Sequence, residues 1–543
     1  MPTITLDKKD VMKLIGKEIP DDKLKDRISM LGTDLDSVDD KEIIVEVFPN
    51  RPDLLSEEGF SRALSSFIGV KTGLRTYNVK KSSFKVNVES SVENVRPFIR
   101  CAILKNVNLT DEAIKSLMQL QEKLHLTHGR KRKKVAIGVH DFNAIKFPLV
   151  YKAVKPDAIS FVPLDMTAKM NLAQILSKHP KGRDYAFVLD GLDKYPIIID
   201  AKNDVVSFPP IINGVVTQVK ENTKNLFIDV TGLDVNAVTQ ALNILVASLA
   251  DRGAEIYSLD VDGVISPDLK PRKMKVNLDY VNKLLGLNLN KKKFVELLEK
   301  MGLGFDKDVL IPAYRDDIIH PVDIVEAVAI AYGYDNFTPE IPNLATIAEE
   351  DSFEKFKSRI AEILVGLGMI ETNTYHITNK ENLNKKMNLD LRCVELSNAL
   401  TKDYDVLRSW MIPSLMDVLK NNKNREFPQK IFEMGTCFKE NKEKETGVEE
   451  FTRLAVLISH TKANFTEIKQ VLDYLFNLLG LEYKTEDTEH SSFIKGRVGR
   501  VIVNDKKLAY IGEISPEVIT NWELEMPVAA LELNLTGLFE LIN

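Results

Sequence analysis

Residues 11–32 of this chain recur further along it. Val11, Leu14, Ile15 and Gly16, then Leu24, Ile28, Leu31 and Gly32, are matched at an offset of 270 by Val281, Leu284, Leu285 and Gly286, then Phe294, Leu298, Met301 and Gly302. In each copy the apolar residues fall at helical spacing, and a glycine closes each of two short helices. The offset then drops to 264: Arg51, Asp53 and Leu54 match Arg315, Asp317 and Ile318, and Gly69 matches Gly333. Two copies of one small module, each short helices plus a small β element of roughly 75 residues, exclude a single-core fold. The chain's 543 residues already exceed what one core usually holds, roughly 150 per domain.

The stretch between the copies changes character. RCAILKNVNL and KVAIGVHDF read as strands and DEAIKSLMQLQEKLHL as an amphipathic helix, a separate mixed α/β domain. Past the second copy, Pro339 and Pro342 break the pattern and EEDSFEKFKSRIAEILVGLG opens a last unit, where RLAVLISH and GRVGRVIVN suggest a sheet. The expected division is therefore 1–80, 81–268, 269–346 and 350–543, an α+β multidomain chain.

Composition narrows the class. Apolar residues make up 44% and charged residues 28%, an ordinary globular balance. A net charge of −6 lacks the basic excess of a protein that coats nucleic acid. Cys101, Cys393 and Cys437 are far apart and form no CxxC pair, which argues against a disulfide framework or a structural zinc site. No apolar run approaches the ~18 residues needed to cross a bilayer, and the start MPTITLDKKDVMK has no apolar signal core, so a soluble cytoplasmic protein is expected. GxxxxGK[ST], HExxH, GxSxG and GxGxxG are absent, which disfavours a self-contained kinase, zinc protease, serine hydrolase or dinucleotide enzyme.

Three stretches could carry chemistry. In PAYRDDIIHPVDIVEAVAIAYGYDNF, Asp317 precedes a helix bearing Asp323 and Glu326 at i, i+3, so three carboxylates are expected to converge. Hard oxygen ligands suit Mg²⁺; acids in a first helical turn, favoured by the helix dipole, are the plainer reading. Only the second copy has them, since Gly59 and Arg62 stand at the equivalents of Asp323 and Glu326. In YPIIIDAKNDVVSFPPIINGVVTQV and KNLFIDVTGLD, the residues Ser207, Asn213, Thr217, Asp229 and Thr231 form a set of neutral hydrogen-bonding groups plus one carboxylate. With no Cys, His or Lys among them, recognition of hydroxyls and positioning of water fit better than covalent catalysis; a proline-stiffened turn with a capping aspartate is the plainer reading. HGRKRKK, residues 128–134, is the one dense basic run, either a phosphate contact or a solvated loop.

VFPNRPDLLSEEGFSRAL, AIGVHDF, VSFPPIINGVVTQ, FIDVTGLD, PAYRDDIIHPVDIVEAVAIAYGYDNF, LSNALTKDYDVLRSWMIPSLM, KIFEMGTCF and IGEISPEVI, in order across nearly the whole chain, make it resemble the β subunits of phenylalanyl-tRNA synthetases of the shorter archaeal and eukaryotic cytosolic type. The resemblance implies that 1–80 and 269–346 are related modules, that 81–268 is an editing domain, and that 350–543 is a catalytically inactive relative of the class II synthetase core. It also implies an α partner that holds the aminoacylation site, an α2β2 heterotetramer, tRNA(Phe) as substrate and ATP used by the complex. No residue of this chain is then catalytic for aminoacylation; Arg453, Arg497 and Arg500 are the nearest arginines to a phosphate-holding set. By the same resemblance Ser207, Asp229 and Thr231 are editing-pocket residues, with Ile198 as an apolar wall and Asn213 and Thr217 as additions. Asp317, Asp323 and Glu326 would hold Mg²⁺; with Ala327 where many relatives carry a fourth acid, the site is expected to be weaker, completed by the α partner, or without metal. The rivals are a stand-alone aminoacyl-tRNA editing hydrolase and a non-enzymatic nucleic-acid-binding regulator.

Overall fold

The computed structural model describes residues 2–542, which form two compact units divided between Ile341 and Pro342. The sequence repeat is a structural repeat. In the first copy, helices Lys8–Ile15 and Asp21–Met30 sit between strand Thr3–Asp7 and strands Asp34–Val38 and Glu42–Glu46. In the second, helices Leu278–Leu285 and Lys291–Lys300 follow strand Arg272–Met274 and precede strands Gly304–Asp306 and Asp308–Ile311. Both sheets have the last strand in the middle and are antiparallel throughout. Gly16 and Gly286 end the first helix of each copy at φ +81° and +66°, left-handed conformations that glycine adopts without steric cost. A third helix closes each copy, Glu57–Phe67 and Pro321–Tyr332.

The repeat also preserves one polar contact. Arg51 donates a two-pronged pair of hydrogen bonds to Asp53 at 2.8 and 2.9 Å, and Arg315 does the same to Asp317 at 2.7 and 2.6 Å. The two forks lie at the junction of the copies, where the Arg62 guanidinium stacks 4.0 Å from the Tyr314 ring centre and Ser66 Oγ and Gly73 N both donate to Glu299 O. Burial alone would raise the Asp317 carboxyl, but Arg315 and then Arg51 of the other copy outweigh it and hold it down at about 2.

Between the copies lie two sheets. The first has the strand order Val79–Lys80, Glu255–Tyr257, Phe98–Lys105, Asn225–Gly232, Val135–Asp141; the second runs Ile212–Asn213, Val205–Phe208, Tyr195–Ile199, Leu149–Val154, Lys85–Val88, Leu259–Val261, Val264–Ser266. Side chains alternate along a strand, so Asn225–Gly232 has two faces. Leu226, Ile228 and Val230 join Ala241 and Leu245 of helix Val235–Asp251 in one core, while Phe227 packs toward Tyr151, Ile198 and Val206 of the second sheet. The first of these cores runs on into both repeat copies. Polar ties reinforce it: Arg62 meets Asp251 at 2.6 Å, Arg252 meets Asp10 at 2.6 Å and also Glu58, and Ser56 meets Ser248 at 3.3 Å. A shared core explains why three sequence segments make one unit.

The second unit is built on a seven-stranded sheet, antiparallel but for its first pair, in the order Ile370–Glu371, Gln429–Glu440, Val448–Ser459, Val528–Asn534, Lys506–Ile514, Phe493–Val503, Lys484–Asp487. Helices Ser352–Gly366, Phe465–Leu479 and Leu535–Ile542 contribute to one core, and Ile412–Asn421 with Trp410 and Trp522 to another. Among the described residues no helix is long and apolar enough to cross a membrane.

Removing one partner from a buried ion pair strands the other's charge and costs about 3–5 kcal/mol. Arg315→Ala should lower the stability of the first unit by that order in a denaturant titration of the full chain, and Arg315→Lys, which keeps the charge without the fork, by less.

Candidate functional site

The polar residues of FIDVTG sit on the face of Asn225–Gly232 that looks toward the second sheet. Asp229 pairs across the strand with Gly138 of Val135–Asp141 and with Cys101 on the other side. His140, two residues beyond Gly138, shares that face, and its Nε2 lies 2.7 Å from Asp229 Oδ2. Gly138 makes this contact possible: a Cβ there would stand 2.2 Å from Asp229 Oδ2 and 2.7 Å from His140 Nε2. The other ring nitrogen, Nδ1, lies 2.8 Å from Thr217 Oγ1. His140, Asp229 and Thr217 expose 0%, 1% and 3% of their surface, which seals the carboxylate–imidazole–hydroxyl chain from bulk water.

Hydrogen-bond bookkeeping limits its protonation. An ionised carboxylate only accepts, so Nε2 carries a proton and donates to Asp229. The Thr217 hydroxyl then has two options: it donates to a bare Nδ1, or it turns its proton to Gly214 O at 3.3 Å and accepts from a doubly protonated ring. The chain corrects the expectation that no histidine joins the set. His140 lies 89 residues from Asp229 and 77 from Thr217, and its sequence signal was the Gly-x-His spacing in AIGVHDF.

The other expected residues surround this chain. Ser207 faces Asn213 in the register of the hairpin, Ser207 Oγ donates to Asn213 Oδ1 at 3.0 Å, and Asn213 Nδ2 donates to Val139 O at 3.3 Å, next to His140. Ile198 pairs with Ser207 and is buried in the layer between the sheets. The Thr231 hydroxyl accepts from Arg96 Nε at 2.9 Å, and Arg96 Nη2 also donates to Thr231 O at 2.7 Å. Arg96, likewise unforeseen, is 2% exposed. Burial pushes its guanidinium down to about 10, against the opposing influence of Tyr151 and Asp229, so it stays charged at neutral pH and balances Asp229. Asp229 sits mid-strand rather than capping a loop.

The expected metal ligands do not come together. Asp317 is engaged by the Arg315 fork, and Asp323 accepts from the backbone N–H of Ile319 at 2.8 Å and of His320 at 2.7 Å, closing a capping box at the start of Pro321–Tyr332. Glu326 is exposed beside an open cleft of about 470 Å³ lined by Leu284, Val322, Val325, Tyr334 and Phe337. Ala327, at the fourth-acid position, is buried in the module core. Among the described residues no group of three or more His, Cys, Asp or Glu is placed to hold a metal, so the three acids do not form a closed site within this chain, and Asp323 meets the capping demand of its helix. In the second unit Arg453 pairs with Glu532 at 2.8 Å, Arg497 with Glu513 at 2.7 Å, and Arg500 stacks 3.9 Å from the Tyr510 ring centre. The one ion pair there buried on both sides, among the described residues, is Arg408 with Glu433 at 2.8 Å.

Comparison with known proteins bears on the whole chain. Residues 338–535 match the family profile described as "Phenylalanyl tRNA synthetase beta chain CLM domain", and residues 274–334, the second repeat copy, match the "tRNA synthetase B5 domain". The phenylalanine–tRNA ligase beta subunit of Archaeoglobus fulgidus is 42% identical over 99% of this chain and 99% of its own; that of Pyrococcus abyssi is 40% identical over 99% and 100%. An N-terminal fragment of the phenylalanyl-tRNA synthetase beta subunit from Pyrococcus horikoshii superimposes with a TM-score of 0.59 at 39% identity, covering 61% of this chain and 99% of the fragment. With full-length identity at this level and a family profile over each unit's characteristic segment, the chain belongs to the phenylalanine–tRNA ligase beta subunit family.

Proposed function

We propose that this chain works with an α partner and tRNA(Phe) in an α2β2 ligase of the cytoplasm, the partner carrying ATP-dependent charging, and that the layer between its two sheets hydrolyses mischarged Tyr-tRNA(Phe). The sealed Asp229–His140–Thr217 chain, flanked by Ser207 and Asn213, carries the editing part of this reading. Family membership supports the ligase part. A stand-alone hydrolase or a regulator would leave the match over the second unit without a purpose.

The energetics call for such a site. A pocket shaped for phenylalanine rejects tyrosine, which adds only a hydroxyl, by about a hundredfold. A second site must then favour the hydroxyl, and polar groups that hydrogen-bond to it provide that preference. Ser207 and Asn213, which hydrogen-bond to each other at 3.0 Å, would exchange that bond for one to the substrate hydroxyl, and Ile198 supplies an apolar wall. In the hydrolytic step a water oxygen bonds to the ester carbonyl carbon, the bond to the ribose oxygen breaks, and the water's proton ends on that ribose oxygen. Asp229 fixes the orientation of the His140 ring; because the chain is buried, the imidazole with Thr217 can take and return that proton only once the layer opens to admit the ester and water. No step runs through Mg²⁺.

Removing a general acid–base group typically costs about 10²–10⁴ in rate. Asp229→Ala and His140→Ala should each slow deacylation of Tyr-tRNA(Phe) by the purified α–β complex to that degree, with phenylalanine charging by the same preparation reporting that the assembly is intact. Gly138→Ala should also slow it, since the added methyl must push Asp229 and His140 apart. Purified β chain alone should not charge tRNA(Phe) with phenylalanine, whereas addition of the α partner should restore charging; charging by β alone would refute the division of labour.

A further inference from the structure

The basic run has an unusual backbone. Arg130, Lys131 and Arg132 have φ of +48°, +54° and +65°, three consecutive left-handed residues with side chains, a conformation that L residues rarely adopt even singly. Strain of this kind persists only where the surroundings impose it, and here they do. Arg132 N donates to His125 O, Lys134 N to Gly129 O and His128 Nε2 to Ala237 O. The buried Arg96 donates to Arg132 O at 3.2 Å and Lys133 O at 3.1 Å. The Arg132 guanidinium turns inward, donating to Pro210 O at 3.2 Å and Ile211 O at 2.9 Å and stacking 4.1 Å from the Tyr185 ring centre.

These anchors touch the residues of the candidate site. Arg96 holds Thr231, and Pro210 and Ile211 lie in the hairpin that joins Ser207 to Asn213. The loop then runs straight into the strand that carries Gly138 and His140. While Arg132 faces in, Arg130, Lys131 and Lys133 face out, without an ion pair among the described residues, on a chain whose net charge is −6. Lys133 and His140 stand seven positions apart, most of them in the strand Val135–Asp141, at most about 23 Å at ~3.3 Å per residue. That is a span a few extended nucleotides can bridge.

We infer that residues 128–134 form a phosphate-docking element that holds the last nucleotides of an aminoacylated RNA while its ester is handled at the candidate site between the two sheets. This rests on the editing reading. The left-handed backbone separates the two jobs: it directs one guanidinium inward to fix the loop to the candidate site and leaves three cations outward for the phosphodiesters.

The test is steady-state deacylation of Tyr-tRNA(Phe) by the α–β complex bearing Arg130→Gln, Lys131→Gln and Lys133→Gln together. KM should rise about tenfold, and the dependence of log kcat/KM on log salt should flatten by about 2, near 0.7 for each single-strand phosphate that the variant no longer neutralises. Lys131→Glu alone should raise KM further than Lys131→Gln. A misfolded variant would lose rate without flattening the salt dependence. Unchanged KM and salt slope in the triple variant would overturn the inference. Wild-type hydrolysis of a tyrosyl ester of adenosine, which has no phosphodiester, tests the candidate site separately. If the wild-type complex hydrolyses neither substrate, the editing reading fails, and the loop is judged on the salt slope of uncharged tRNA(Phe) binding, where an unchanged slope in the triple variant overturns it too.

Discussion

The Arg96 guanidinium stands where the parts of the first unit meet. It donates to the Thr231 hydroxyl and carbonyl and to the carbonyls of Arg132 and Lys133, while its own carbonyl accepts from the Tyr151 hydroxyl at 2.7 Å. One residue thus joins the strand with the site aspartate, the second sheet and the basic loop. Burying a charge in this way is costly unless it is paired and fully hydrogen-bonded. The electrostatic influence of Asp229 and the ring of carbonyl acceptors meet that condition. The reverse also holds: a carboxylate can occupy an otherwise apolar strand because a fixed cation lies near it.

The duplication supplies the frame around this centre. Both copies keep the Arg-x-Asp fork and the order of their three strands, so these features serve the module itself. Their third helices have diverged. The first copy's Glu57–Phe67 is buried along nearly its whole length and meets the middle domain through Glu57, Glu58 and Arg62. The second copy's helix keeps Val322 and Glu326 exposed beside a cleft. One fold thereby gives one copy that is bound into the unit and one that presents an open face.

How far the sequence could be read depended on the range of the interaction. Helix ends, the repeat and the alternation of FIDVTG are local, and the structure follows them at Gly16, Gly286 and the two faces of Asn225–Gly232. Grouping Ser207, Asn213, Thr217 and Asp229 also matched their placement around one layer. His140 and Arg96 were missed because their partners are distant in sequence and neither sits in a ligand-spaced motif. The three carboxylates lie apart for a different reason. Spacing placed Asp323 and Glu326 one helical turn apart, but the repeat had already paired Arg315–Asp317 with Arg51–Asp53. A residue duplicated together with its arginine in a copy lacking the other acids serves that arginine. The hydrogen-bond demand of the helix start, likewise local, claims Asp323.

The central claim is that the layer between the two sheets of the first unit recognises a tyrosyl group by its hydroxyl. The most direct measurement is equilibrium binding of non-hydrolysable tyrosyl-adenosine and phenylalanyl-adenosine analogues to the full chain. A hydroxyl that gains hydrogen bonds from the site's polar groups should favour the tyrosyl analogue by about tenfold, with the preference lost in Ser207→Ala or Asp229→Ala. Equal affinity for the two analogues, or tighter binding of the phenylalanyl one, would contradict the account.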